Sequence, residues 1–509
     1  MKDLSEWNTT KCVGQLDLTA LRFALQIGCF SLRELRQLQL GSIKMCNLCR
    51  ETLPMYVQVL EDTPLHLWSV NSQEDTKSMI EVESARVARP LVISMAIDAP
   101  FKGGVDRIVL PSELREVVFG SLFGSTLDRV VWPAGLVEVE LGDHFNQPVT
   151  ELTWPTGLRQ LTFGYSFNQP VRTMVWPTEL EQLDFGFRFD QPIDEVVWPA
   201  GLKRLAFGEC FNQGLEDVMW PAGLVDLAFK YMFNKSVCKV VWPEGLKRLV
   251  LGHDFNKTIV GAQWPPQLEE LQLGNFFDQA LADVEWPVRL KRLAFGDGFN
   301  QAVDNVIWPE TLERLHFGDD FNQTLEGMTW PLGLTQMTFG PCFNQPIHEV
   351  VWPPGMEVLA FGFQFNQPVH KTKWPAHLKQ LTFGYVFNQT IKRVEWPSGL
   401  KEIKFGHCFN QEVHGISWPP GLVQLTFGDR FNQSLNGMVW PSRMESLTFG
   451  AAFNQPLDRV VWPVGLLYVS FGQGFKQKAL TVGWPPGLKE LTIGSTSLCM
   501  IEMGWPAGL

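Results

Sequence analysis

The hydrophobic and polar positions of this chain repeat with a period of 22 residues, and each period contains the same short alternation. In the stretch LKRLAF, residues 202–207, the leucines and the phenylalanine can point inward while Arg204 and Ala206 point outward. This alternation predicts a short strand with one buried face. The apolar stretch VVW before Pro199 is also β-prone, the proline suits a strand end, and Gly208 allows a tight bend or a positive φ. No helix of more than two turns fits between these signals, so the pattern predicts a mainly β coil.

Trp-Pro pairs mark the register of the repeat. Tryptophan occurs every 22 residues from Trp132 to Trp484, and Trp505 follows after 21 residues. A degenerate copy extends the same phase back to about residue 90, so we predict a solenoid of about nineteen coils over residues 90–509. The sequence stops at WPAGL, the opening of another coil. We interpret this as truncation of the array, with a last edge that meets a partner as the alternative.

Stacked coils explain the unusual aromatic composition of 20 Trp and 37 Phe against 5 Tyr. Equivalent residues of successive coils should lie one above the next, at about 4.8 Å, and form columns of Trp, Phe and Leu. We therefore interpret the Trp column as core and not as a ligand cage.

The Phe-Asn-Gln triplets predict a second kind of column. Their amides should form an inward ladder that bonds to backbone groups of adjacent coils. Five of these asparagines stand in Asn-x-Ser/Thr sequons: Asn234, Asn256, Asn322, Asn388 and Asn432. Because an inward asparagine has no room for a glycan, this placement favours the cytoplasm, with the nucleus as an open alternative.

Residues 1–89 lie outside the repeat and have a different pattern. Residues 31–41 combine a capping-box spacing between Ser31 and Glu34 with leucines on one helical side, and residues 16–27 are a second candidate helix. We predict a small helical segment here. It is interpreted as a cap over the first coil, with an adaptor module as the alternative.

Charge and composition exclude several classes of partner. The net charge of −12 argues against nucleic acid and anionic membranes, which both need basic patches. The sequence contains no apolar window of about 18 residues, so it predicts no membrane span. Its nine cysteines are irregularly spaced, which is more typical of reduced thiols than of a disulfide framework. We expect protein partners, no nucleic acid and no membrane.

Candidate catalytic chemistry is sparse. The histidines are scattered over variable positions of different coils, without a recurring Cys, Ser or carboxylate partner, so we predict no enzyme, no catalytic residue and no cofactor. Four cysteines of the amino-terminal segment are candidate zinc ligands: Cys12, Cys29, Cys46 and Cys49. They contain a single close pair, so we favour half-buried thiols and predict no metal.

Two rows of variable positions are candidates for a binding surface. The row at the start of each strand includes Arg204, Arg248, Arg292 and Arg314. The row directly after the glycine includes Tyr165, Phe187, Tyr231, Phe363 and Tyr385. Exposed aromatic residues on a rigid sheet are plausible anchors for a protein partner. The alternatives are that the aromatic side chains pack over the sheet edge and that interleaved glutamates turn the basic row into a solvated, ion-paired face.

The repeat also resembles a known family. The stretch LTFGYSFNQPV (161–171), followed by WPTEL (176–180), resembles the FNIP repeat of the leucine-rich-repeat superfamily, although this chain has Trp-Pro where family members often have Ile-Pro or Leu-Pro. The resemblance implies a leucine-rich-repeat-like solenoid that binds other macromolecules. Because the family also occurs in giant-virus proteins joined to an F-box, the resemblance makes a divergent F-box-like module over residues 1–89 the alternative to a cap, although no Leu-Pro opens the helical stretch there.

These observations predict a non-enzymatic protein-binding scaffold. The alternatives are a substrate-recognition adaptor that engages a ubiquitin-ligase core through residues 1–89 and a cell-surface adhesin.

Overall fold

The computed structural model describes residues 66–70, 92–97, 108–110, 112–128, 130–477 and 482–494 of the 509-residue chain. The described residues divide into two compact units. The first unit contains those up to Gln169 together with Met174–Phe187, and the second contains Pro170–Thr173 and those from Arg188 onward. The helices predicted at 16–27 and 31–41, and the four cysteines weighed for zinc, lie outside the described residues, among which there is no helix.

Parallel strands build the first unit. Its strands are β1 (His66–Val70), β2 (Val92–Ile97), β3 (Ile108–Val109), β4 (Glu116–Phe119), β5 (Val130–Val131), β6 (Glu138–Glu140), β7 (Gln160–Thr162) and β8 (Gln182–Asp184). Parallel pairing runs β1–β2–β4–β6–β7–β8, and β3 pairs separately with β5. Strand β1 lies within the stretch 1–89 and pairs directly with β2.

The second unit repeats one three-residue strand with little variation. Its strands are β9 (Arg204–Ala206), β10 (Asp226–Ala228), β11 (Arg248–Val250), β12 (Glu270–Gln272), β13 (Arg292–Ala294), β14 (Arg314–His316), β15 (Gln336–Thr338), β16 (Val358–Ala360), β17 (Gln380–Thr382), β18 (Glu402–Lys404), β19 (Gln424–Thr426), β20 (Ser446–Thr448), β21 (Tyr468–Phe471) and β22 (Glu490–Ile493). Each pairs in parallel with the next, and residue i aligns with residue i+22. The predicted mainly β solenoid of 22-residue coils is confirmed.

The buried face of each strand follows the predicted alternation. Leu202, Leu205 and Phe207 are fully buried, and Arg204 is exposed. Ala206 was expected to point outward, yet it is only 5% exposed. Longer side chains at the same position of other coils, such as His316, are exposed. The position therefore faces outward, and the short methyl of Ala206 is covered by its neighbours.

Aromatic columns form the core between the coils. Phe299 and Phe321 stack with ring centroids 6.0 Å apart and parallel planes, and Phe295 stacks on Phe299 within its coil at 4.1 Å. Trp286 and Trp308 stack at 5.9 Å, and Phe295 meets Trp286 edge-on at 6.4 Å. Both tryptophans are more than nine-tenths buried. The Trp column is therefore part of the core, as predicted, and these offset and edge-on geometries are favourable for aromatic rings.

The glycine after most strands lies in close backbone contact with the preceding coil, although Lys230 occupies this position in one coil. A Cβ on Gly318 would lie 1.7 Å from the carbonyl oxygen of Gly296 in the preceding coil, so a side chain there would force the backbone to shift. The expected alternative, a positive φ, occurs at other positions of the coil. The described glycines with positive φ are Gly261, Gly327, Gly415 and Gly437.

The Asn-Gln ladder exists, but it does not point inward. The Asn366 Oδ1 accepts a hydrogen bond from the Asn388 backbone N–H at 2.9 Å, and Gln389 Nε2 donates to the Asn366 carbonyl oxygen at 3.0 Å. Asn366 is half-buried and Asn388 is exposed, because the ladder lies at an outer corner of the coil. The expected inward direction was therefore wrong. Asn388 is exposed and the other four sequon asparagines are half-buried, so the sequons carry no argument about the compartment.

The VVW stretch forms a ladder in few described coils. Strands β3 and β5 pair there, whereas around Val197 the chain has no strand. Val196 is buried, Val197 is 78% exposed and Trp198 is buried. The stretch thus anchors each coil through its first and third residues.

Candidate binding face

The start of each strand presents a row of outward side chains, which we call the strand-face row. In the second unit its members from β9 to β15 are Arg204, Asp226, Arg248, Glu270, Arg292, Arg314 and Gln336. The parallel register places each one beside its equivalent in the next coil. All four predicted arginines therefore lie in one row, on one face of one unit.

Ion pairs connect the first five members of the strand-face row. Asp226 lies between Arg204 (3.7 Å from Nε) and Arg248 (3.0 Å from Nη1). Glu270 in turn lies between Arg248 (3.1 Å) and Arg292 (2.9 Å). Partial burial opposes the charge of Arg248, but the hydrogen bonds that Arg248 donates to Glu270 and Asp226 outweigh it and raise the pKa of Arg248. The interleaved acids thus make an alternating ladder of charges.

A parallel ion pair reinforces the adjacent row. Lys291 Nζ donates to Glu269 Oε2 at 2.9 Å. This hydrogen bond lowers the pKa of Glu269, and the Lys291 charge lowers it further. The surface therefore carries both signs of charge in fixed alternation.

The alternation ends at Arg314. Its neighbour across the ladder is Arg292, and on the other side stands the uncharged Gln336. Within the described residues, Arg314 has no carboxylate partner. A shallow cavity of about 320 Å³ lies over this place, and Arg292, Arg314, His316, Gln336 and Thr338 contribute to its lining.

The aromatic row after the glycine is stacked on itself. Phe363 and Tyr385 stack at 4.4 Å with planes 6° apart, and Tyr385 stacks on His407 at 4.4 Å. Tyr231 stacks on His253 at 4.1 Å. Each of the three predicted aromatic residues is 42–48% exposed. The rings cover one another's faces, so their edges and the outer faces of terminal rings are what a partner would contact.

In the first unit, Tyr165 and Phe187 form a similar pair at 4.4 Å, with 44% and 39% exposure. The structure therefore brings the predicted aromatic residues together in short blocks and not in one continuous stripe. Sequence reasoning missed His253 and His407, which stand in the same position after the glycine, and Phe276, whose ring meets His253 edge-on at 4.8 Å.

The described residues contain no cluster of three or more His, Cys, Asp or Glu side chains arranged to hold a metal ion. A membrane-spanning helix is likewise not found among them.

Comparison with known proteins identifies the repeat. The model of the FNIP repeat matches residues 145–188, 233–276, 365–408 and 409–452, and each match spans two consecutive coils. No curated protein matches this chain.

Similar solved structures are leucine-rich-repeat proteins. The crystal structure of CroV588, described as a novel circular LRR protein, is 28% identical with a TM-score of 0.63, and the match covers 87% of this chain and 77% of that one. An internalin from Listeria monocytogenes is 14% identical with a TM-score of 0.38, and the match covers 60% of this chain and 83% of the internalin. The matched segments are FNIP repeats, and the described coils fold as a leucine-rich-repeat-like solenoid.

Proposed function

We propose that this chain is a non-enzymatic scaffold that binds protein partners through the strand-face row and the adjacent aromatic row. The observation that carries the proposal is the contrast between the two faces of each strand. Inward positions repeat Leu and Phe from coil to coil, whereas outward positions change between Arg, Asp, Glu, Gln and His. A repeat needs its inward residues to stack, but its outward residues are free to suit a partner.

The chemistry of this surface suits protein. Aromatic residues and arginine are enriched where proteins bind one another, and rigid stacked rings lose little conformational entropy on binding. A net charge of −12 disfavours nucleic acid and anionic lipid. A cytoplasmic location, with the nucleus left open, is part of the proposal and rests on the odd number of cysteines, of which Cys210, Cys238, Cys342 and Cys408 are free thiols.

Affinity purification with mass spectrometry tests the proposal on the full chain. The double variant Phe363→Ala/Tyr385→Ala removes one stacked aromatic block. The matched control is Val461→Ala, because Val461 is 78% exposed but lies in the row before the tryptophans. We expect partners of the wild type to be retained by the control and lost by the double variant.

Equal recovery of every partner by the wild type and the double variant would contradict the aromatic row's role. Circular dichroism of all three proteins establishes that the variants are folded. Specific co-purification of a cullin-type ligase core with the full chain would support the adaptor alternative, which assigns residues 1–89 to that contact.

A further inference from the structure

The cavity at the end of the charge ladder has an unusual pair of neighbours. Strand pairing sets Arg292 directly beside Arg314. Every earlier neighbouring pair in the strand-face row, from Arg204 to Arg292, joins opposite charges. Like charges placed directly opposite in a sheet repel, so an acceptor is favoured between these two guanidinium groups.

Several hydrogen-bond donors line the cavity beside Arg292 and Arg314. Arg292 uses Nε and Nη2 on Glu270, which leaves its Nη1 group. Arg314 is exposed and brings a full guanidinium fork, whose planar geometry matches a carboxylate.

His316 adds a further donor to the cavity. Its Nδ1 and the Thr338 hydroxyl are 2.6 Å apart. The surrounding protein partly desolvates the His316 ring and lowers its pKa, which favours the neutral form of the ring. When the threonine hydroxyl donates to Nδ1, the ring proton resides on Nε2, which is then a donor.

We propose that this cavity binds a carboxylate side chain from an acidic segment of a protein partner, with Arg314 as the bidentate anchor and Arg292 and His316 as supporting donors. The inference rests on the proposed function, because it assigns partner chemistry to the same face.

The charge balance favours a singly charged group over a phosphate dianion. Glu270 lines the same cavity, and Asp297 and Asp319 lie close enough to His316 to act on its charge. These acids offset much of the local positive charge, so a second negative charge on the ligand would be poorly compensated. The chain as a whole repels anions at a net charge of −12, and binding of an acidic probe therefore requires a local site.

Fluorescence anisotropy with a fluorescein-labelled hexaglutamate peptide tests the inference on the full chain at low salt, with hexaglutamine as the uncharged comparison. We expect hexaglutamate to bind and hexaglutamine not to bind. Arg314→Gln should weaken hexaglutamate about 10-fold or more, since a charge-assisted bidentate contact is lost, and Arg314→Lys should lie between. Arg459→Gln is the matched control and should change affinity less than 2-fold, because Arg459 is an exposed arginine with a carboxylate neighbour and lies outside the strand-face row.

Three results would overturn the inference: no binding of hexaglutamate by the wild type, equal weakening by Arg459→Gln and Arg314→Gln, or displacement of hexaglutamate by inorganic phosphate at lower concentration than by acetate. Each leaves the scaffold proposal standing if partners are still lost with the Phe363→Ala/Tyr385→Ala variant. Conversely, the scaffold proposal itself fails if affinity purification recovers the same partners with the wild type and with every variant of this face.

Discussion

Replacing Asn366 by leucine should make local opening of the Asn-Gln ladder more frequent between the coils of Asn366 and Asn388. The Asn366 Oδ1 accepts from the Asn388 N–H at 2.9 Å and from Gln389 Nε2 at 3.2 Å. Leucine has a similar size but no acceptor, so the Asn388 N–H loses its partner. Because Asn388 is exposed, water can partly replace the lost acceptor, and the cost is that of a typical net hydrogen bond, about 0.5–1.5 kcal/mol, which corresponds to about 2- to 13-fold faster opening. Hydrogen exchange with mass spectrometry on peptides that contain Asn388 measures this change.

Two other coils of this chain indicate a matched control for this experiment. Asp190 and Asp278 occupy the asparagine position in their coils, and their Oδ1 atoms accept from Asn212 and Asn300 at 2.9 and 3.0 Å. Asn366→Asp should therefore keep exchange at the Asn388 amide close to that of the wild type. The reasoning is refuted if the leucine variant exchanges no faster than the wild type, or if the aspartate variant exchanges as fast as the leucine variant.

Three further predictions concern the core, the backbone contact and one ion pair. Phe321→Ala should destabilise the fold by about 3–5 kcal/mol, because a fully buried, stacked ring is removed, and a urea midpoint equal to that of the wild type would contradict this. Gly318→Ala should lower the urea midpoint, because the added methyl forces the backbone to shift, whereas Gly214→Ala, with open space around its Cβ, should leave the midpoint close to that of the wild type; equal midpoints of the two variants would argue against the close backbone contact. Lys291→Gln should raise the lowered pKa of Glu269 toward its ordinary value, as followed by carbon-13 NMR of its carboxyl group. The pKa of Glu269 is lower in the folded than in the unfolded protein, so the pair stabilises the protein at a pH above the unfolded pKa. This stabilisation is lost as the pH falls through the folded pKa of Glu269. An unchanged titration of Glu269 in the variant would count against the pair.

Much of the fold could be predicted from the sequence because one period controls it. A strict 22-residue spacing aligns each Leu205-type residue with its equivalent, and alternation around it decides which side chains point inward. Stacking of the Trp and Phe columns follows from the same register. These features depend on spacing alone, and spacing is visible without coordinates.

Features that depend on distances between coils could not be predicted in this way. The glycine requirement at Gly318 comes from a carbonyl oxygen in the preceding coil, and the exposure of Asn388 comes from the corner where the ladder lies. A linear pattern shows that both residues recur, but not which neighbour approaches them.

The two rows of the candidate face could be placed from the sequence, whereas the pairing of their side chains could not. The arginine row and the aromatic row follow from position in the coil. That Asp226 and Glu270 bridge three arginines, while Arg314 stands at the open end, depends on side-chain geometry. The identity of a partner depends on a second molecule, and no pattern within this chain encodes it.

Site-specific photo-crosslinking tests the central claim most directly. In one variant of the full chain, a photoreactive amino acid replaces Gln380, which is exposed on the strand face. In a second variant of the same chain it replaces Val439, which is 80% exposed in the row before the tryptophans. If the scaffold binds through its strand face, partners will crosslink at Gln380 and not at Val439. Crosslinking at Val439 with none at Gln380 would contradict the account.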